Sequence, residues 1–299
     1  MSSSSLLLPV IVVSEETLAR LRGRKCWFYL YMALSLVFSA AFSIYVFHYS
    51  ESLKRSIFAF LSIFICYQSV NIWYYLFSKD GKFISNSLSV KFFLRGAFLS
   101  ILIAILLEVM ESKELTPNRQ SQYWVLPLAL TAGFAEEVGK LVLVIIGLRF
   151  TPPLVPGMWT MFVESPRGLA FAGFAVGLGF MTTENLEYFY GPLIMASDSM
   201  LAVLFVLRTV LNLHPYLTGL SAARLAATCF PIGRVSVGRV VAAIWPSVLI
   251  HAMYDFGLML SMSDRNTSVT GPLIIISLLL IPAIIILFAR AYRALPQIE

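Results

Sequence analysis

Charge is what this chain has least of. Asp, Glu, Lys and Arg make up only 13% of its 299 residues, against 59% hydrophobic, and the mean hydropathy is +0.82. A soluble domain usually carries about 25% charged residues, so this scarcity excludes an ordinary soluble core. Cysteine is nearly absent too. Cys26, Cys66 and Cys229 are scattered without metal-ligand spacing, which argues against a cysteine zinc site or a disulfide framework and leaves them as apolar residues. A basic n-region is missing before the first apolar stretch, Leu6 to Val13. That stretch is too short to span a bilayer, and it does not read as a cleaved signal. No internal repeat is visible. Low complexity is confined to Ser2–Ser5, which reads as a disordered tip.

Long apolar runs take the place of these features. About eight reach the length needed to cross roughly 30 Å of hydrocarbon. They run Cys26–His48, Ser56–Phe77, Leu88–Val109, Tyr123–Phe150, Gly168–Phe189, Met200–Ala223, Val240–Met262 and Leu273–Ala291. Turn chemistry separates them, for example Thr151-Pro152-Pro153, Pro231-Ile232-Gly233 and Gly271-Pro272. The predicted fold class is all-α membrane, a polytopic helical bundle. A cytoplasmic segment over 1–25 precedes a single membrane domain over 26–293, whose motif-bearing core is 123–262, and a cytoplasmic tail covers 294–299.

The net charge of +6 does not point to nucleic acid, because the basic residues lie mainly in the connections between apolar runs. Arg20, Arg22, Arg24 and Lys25 directly precede the first span. With the N-terminus inside, most Lys and Arg fall in inside segments, so the positive-inside rule predicts both termini cytoplasmic. Asn266-Thr267-Ser268 then forms a glycosylation tripeptide in the last outside loop.

Against this apolar background, ionisable residues inside spans stand out. Each costs about 2.5–3.5 kcal/mol on insertion scales. Glu136, Glu137, Lys140, Glu184, Arg208, His214, His251 and Asp255 all fall in predicted spans. Left in lipid together, they would exceed the net stability of a typical fold. They are therefore expected to share a polar interior.

Their spacing is informative. Glu136 and Glu137 lie near the middle of the fourth span, with Lys140 four and three residues on, so Lys140 can reach either carboxylate. Two adjacent carboxylates at low dielectric do not both ionise cheaply without a compensating cation or metal. Such a pair suits a general acid or base that activates water, and it equally suits a structural ion pair. Phe180, Glu184 and Tyr188 repeat at i,i+4 on one face of the fifth span, with Asn185 beside Glu184. On the sixth, His214 and Thr218 share a face. On the seventh, His251 and Asp255 stand one turn apart, where the acid can orient the imidazole. Two histidines with carboxylates also fit a zinc shell.

Four motifs in order carry a resemblance: Glu136-Glu137-x-x-Lys140, Phe180-x-x-x-Glu184-Asn185-x-x-Tyr188, His214-x-x-x-Thr218-Gly219 and His251-x-x-x-Asp255. Across Gly133 to Gly257 the chain resembles the PrsW family of intramembrane proteases, within the wider group that includes the CAAX-prenyl endopeptidases and the bacteriocin-processing proteins. The resemblance implies a helical protease that hydrolyses membrane-associated protein substrates in or beside the bilayer. It implies Glu136 and Glu137 as the catalytic carboxylate pair, and His214 and His251 as catalytic or metal-binding histidines. Asp255 and Glu184 are implied as their partners, with Lys140, Phe180, Asn185 and Tyr188 supporting them. Zinc, if bound, would take His214, His251 and Glu137. In the CAAX proteases a histidine stands where this chain has Glu184 and an asparagine where it has Asp255, which points away from prenylated substrates and towards the PrsW branch.

The residues themselves leave two chemistries open, water activated by glutamate or by a metal. Other classes are compatible with buried charge as well. A proton- or cation-coupled transporter uses such groups as relays, although the paired repeats of many transporters are not visible here. A catalytically silent scaffold of the same fold would keep them without using them.

Overall fold

The computed structural model describes residues 86–106, 125–147, 165–190, 213–263 and 267–296, together with scattered helical positions between 33 and 65. Among the described residues there are helices and no strands. The 1–25 segment, most of the first two expected spans, Arg208 and Asn266 lie outside them.

Among the described residues from 86 onward six helices follow in order. Helix α1 covers Asn86–Arg95, continues through a π-helical turn at Gly96–Ser100 and runs on as helix over 101–106; then come α2 (Val125–Gly147), α3 (Pro166–Tyr190), α4 (His214–Cys229), α5 (Val237–Ser263) and α6 (Thr267–Ala294). Helix α3 is the hub, packing against α1 and its π turn, against α2 and against α4. Helix α5 packs against α2, α4 and α6. The core gathers Phe171, Phe174, Leu217 and Phe288 among other fully enclosed side chains.

Among the described residues two stretches, Ser89–Leu106 and Val237–Gly257, are long and apolar enough to cross a membrane by length and composition. Their outward faces are apolar. Leu94, Phe98, Leu102 and Leu106 recur every four residues along α1 and are exposed, as are Val237, Val241, Trp245, Leu249 and Met253 along α5. Contiguous exposed apolar stripes of this kind are rare on soluble monomers. They suit a surface solvated by lipid, with the polar groups turned inward. Helix α2 is interrupted at its centre by Glu136, Glu137 and Lys140, all of them buried.

Local chemistry explains several element ends and bends. Gly233, at φ 68°, closes the 3₁₀ turn Phe230–Ile232 that follows α4, a conformation that favours glycine. Pro246 lies inside α5 and has no N–H to give the Ala242 carbonyl. Arg224 Nη2 donates to that carbonyl instead, at 3.2 Å. The π turn of α1 is secured by two hydroxyls, Ser100 Oγ donating to Gly96 O and Thr183 Oγ1 donating to Ala97 O, both at 2.5 Å.

One boundary differs in a way that matters for function. The apolar run Met200–Ala223 predicts a continuous span with His214 in its interior. Instead α4 begins at His214 and ends at Cys229. Pro215 accounts for the start: without an N–H it suits the first turn of a helix, where no intrahelical acceptor waits for that N–H. His214 is thus the first residue of a helix.

Candidate active site

The site forms where α2, α3, α4 and α5 meet. Helix α2 brings Glu136, Glu137 and Lys140, α3 brings Phe180 and Glu184, α4 opens with His214, and α5 carries His251 and Asp255. Two close backbone approaches set these spacings. A Cβ on Gly177 of α3 would lie 2.5 Å from the His214 carbonyl oxygen and 2.6 Å from Pro215 Cα. A Cβ on Gly133 of α2 would lie 3.0 Å from the Ala252 nitrogen, next to His251. Glycine at each crossing lets the helix that carries a histidine approach the helix that carries its carboxylate.

The carboxylate pair divides into two environments. Glu137 is fully buried. Its Oε1 accepts from Lys140 Nζ at 2.6 Å and from His251 Nδ1 at 3.0 Å, while Oε2 is buried with no hydrogen-bond partner among the described residues. Glu136 keeps a side-chain exposure of 11%. Its Oε2 lies 3.4 Å from Lys140 Nζ, 3.7 Å from His214 Nδ1 and 3.6 Å from His251 Nε2. Lys140 therefore reaches both glutamates, as its i,i+3 and i,i+4 spacings predict.

The two nitrogens of each ring meet different partners. A lysine ammonium only donates, and Lys140 Nζ lies 3.0 Å from His214 Nδ1, so Nδ1 is the accepting nitrogen. Nε2, on the other side of the ring, lies 2.7 Å from Glu184 Oε2 as an ion-pair contact. For His251 the arrangement is reversed. Nδ1 donates to Glu137, and Nε2 faces Glu136 Oε2 at 3.6 Å and Asp255 Oδ2 at 3.4 Å. The two rings meet edge-on with centroids 5.1 Å apart. Phe180 packs its ring against His214 at 5.2 Å and under the Lys140 ammonium at 4.3 Å.

Each imidazole thus has a carboxylate at one nitrogen and turns the other towards Glu136. Metal-binding histidines are commonly held in this way, with a carboxylate at the nitrogen that does not ligate. One donor atom from each of Glu136, His214 and His251 lies within 4.8 Å of the others. These residues fit a metal ion, and the orphaned Glu137 oxygen beside them adds to the excess of acceptors. The carboxylate in this grouping is Glu136, where the sequence reading had Glu137.

Most residues singled out from the sequence converge here: Glu136, Glu137, Lys140, Phe180, Glu184, His214, His251 and Asp255. Asn185 is buried next to Glu184 on α3. Tyr188 lies on the same helix, with its side chain outside the described residues. Asp255, expected beside His251, lies 3.4 Å from its Nε2, and Glu137 meets the same ring at Nδ1. A buried hydroxyl pair escaped the sequence reading. Ser221 Oγ donates to Ser247 Oγ at 2.8 Å, and Ser247 Oγ donates to Leu217 O at 2.9 Å, joining α4 to α5 one to two turns from the histidines. The only signal for it was two serines in apolar helices.

Among the described residues the fold is helical, with outward apolar stripes around a buried glutamate–histidine centre. The family comparison supplies the class. Residues 85–287, more than half of the chain, match the model of the PrsW family intramembrane metalloproteases. The chain belongs to that family and is an intramembrane protease. No curated protein and no solved structure is significantly similar to it.

Proposed function

We propose that the protein is a zinc-type endopeptidase that cleaves membrane-associated protein substrates at the Glu136–His214–His251 centre. The observation that carries this reading is the direction of the two imidazoles. Each ring has one nitrogen at a carboxylate of its own and turns the other towards Glu136. Two imidazole nitrogens that converge on a carboxylate, with one donor atom of each residue within 4.8 Å of the others, make a ligand set that suits a divalent cation, which supports the metal form.

Glu136, His214 and His251 would hold the ion. Zinc bound there would act as a Lewis acid and lower the pKa of a bound water to about 7. The chain's own groups do the rest. Glu137 accepts from His251 Nδ1 and Glu184 Oε2 lies 2.7 Å from His214 Nε2, so that each carboxylate orients one ring. Asp255 has the most exposed carboxylate of the cluster, at 19%. In this reading its Oδ2 takes the proton from the attacking water and returns it to the leaving amine. Phe180 closes one side of the site against bulk water.

We further read the chain as one membrane domain of about eight spans with both termini cytoplasmic, as hydropathy and charge asymmetry suggest. The outward apolar stripes of α1 and α5 support its embedding in lipid.

The test is cleavage of a panel of single-span membrane substrates in proteoliposomes, with and without a chelator. Cleavage is expected to stop on chelation and to return with zinc. In His251→Ala no addition restores it. In Asp255→Asn the rate is expected to fall about 100-fold with zinc content unchanged. Chelator-resistant cleavage would contradict the metal form, and flux of a solute without proteolysis would favour a transporter.

A further inference from the structure

Lys140 is the one buried cation among the described residues of the site, and it sits where it interferes with metal binding. Its side chain is fully enclosed. Nζ touches Glu137 Oε1 at 2.6 Å, Glu136 Oε2 at 3.4 Å and His214 Nδ1 at 3.0 Å, and rests over the Phe180 ring at 4.3 Å. Nε2 of His214 lies against Glu184 at 2.7 Å, so Nδ1 is the nitrogen of that ring turned towards the metal-binding group. The Nδ1 lone pair cannot serve an ammonium and a metal ion at once. Glu136 Oε2 is likewise shared between Lys140 and the metal-binding group.

We propose that Lys140 is the resident cation of the metal-free site, a tethered competitor that divalent metal must displace from His214 Nδ1 in order to bind. On displacement the ammonium keeps Glu137 and the face of Phe180, so it is not left unpaired. Its charge stabilises the empty site, which would otherwise hold acceptors facing one another. The same charge weakens the loaded site by repulsion across a short distance at low dielectric. Lys140 thus sets how tightly the protease retains its metal, as a positioning residue that touches neither water nor substrate. This inference rests on the metal reading of the centre.

The test is zinc affinity, measured on the full-length protein in detergent by competition with a chromophoric chelator. Lys140→Met and Lys140→Gln remove the charge, and the glutamine keeps a donor for Glu137 should the methionine variant fold poorly. Lys140→Arg keeps the charge. Both neutral variants are expected to bind zinc on the order of 10-fold tighter than wild type, the scale on which groups behind the ligands act. Zinc should also raise their Tm by more than it raises that of wild type. The arginine variant should bind no more tightly than wild type. A merely structural lysine would give the opposite sign, because loosening the site weakens binding. Equal or weaker zinc binding in the neutral variants, with wild type binding normally, overturns the role of Lys140 and leaves the metal site standing. Absence of zinc binding in wild type and variants alike overturns the metal reading and this inference with it.

Discussion

His214 and His251 make the same chemical unit from different local structure. His251 stands inside α5, with helical turns before and after it. His214 is the first residue of α4, so nothing N-terminal within that helix supports it. Both rings nonetheless meet a carboxylate of their own at one nitrogen, fully buried for His251 and partly exposed for His214, and present the other to Glu136. A helix interior supplies its own rigidity, whereas a helix start borrows it from a neighbour. Here the lender is α3, through Glu184 and through the close approach of Gly177 to the His214 backbone.

The sharpest way to break the symmetry is to remove each carboxylate in turn. Glu137→Gln and Glu184→Gln should each reduce zinc affinity and cleavage by about 10- to 100-fold, as expected for groups that hold metal-binding histidines. The larger loss is expected for Glu137, which serves Lys140 as well as His251. Parallel zinc titrations and cleavage rates of the two variants check the ranking. Equal losses would mean that the lysine contact adds nothing.

Gly177→Ala against Gly133→Ala tests the borrowed support. The new methyl at 177 meets backbone atoms at 2.5 and 2.6 Å, the one at 133 meets them at 3.0 Å and beyond. Overpacking of this kind costs about 1–3 kcal/mol. Gly177→Ala is expected at the upper end with a clear fall in cleavage, and Gly133→Ala at the lower end, both read by thermal unfolding and substrate assay. The smallest effect is expected at the hydroxyl pair. Ser221→Ala leaves Ser247 its bond to Leu217 O and should cost about 1 kcal/mol, with cleavage within roughly twofold of wild type. A large kinetic effect there would show that the α4–α5 link positions His251 as well as stabilising the fold.

The sequence revealed the local half of the site and hid the tertiary half. Spacing alone predicted that Lys140 reaches Glu136 and Glu137 and that His251 neighbours Asp255, because those contacts lie one helical turn apart. The pairs His251–Glu137 and His214–Glu184 join different helices, so no periodicity encodes them. The division of labour within Glu136–Glu137 was hidden for the same reason. Adjacent residues on a helix point about 100° apart, and only the packing of α5 decides which carboxylate is enclosed. The helix start at His214 was signalled by Pro215 but masked by the apolar run around it. The π turn of α1 left no readable mark, because its hydroxyl partner Thr183 comes from α3.

Glu136 is the group both histidines share, so the most direct measurement is cleavage by Glu136→Gln, reconstituted beside wild type at equal folded amount, with zinc content measured on the same samples. The expected result is a loss on the order of 10³-fold or more with zinc depleted, while the far-ultraviolet spectrum and Tm show a folded helical protein. Wild-type cleavage by the folded variant, with zinc retained, would contradict a centre built on Glu136, His214 and His251.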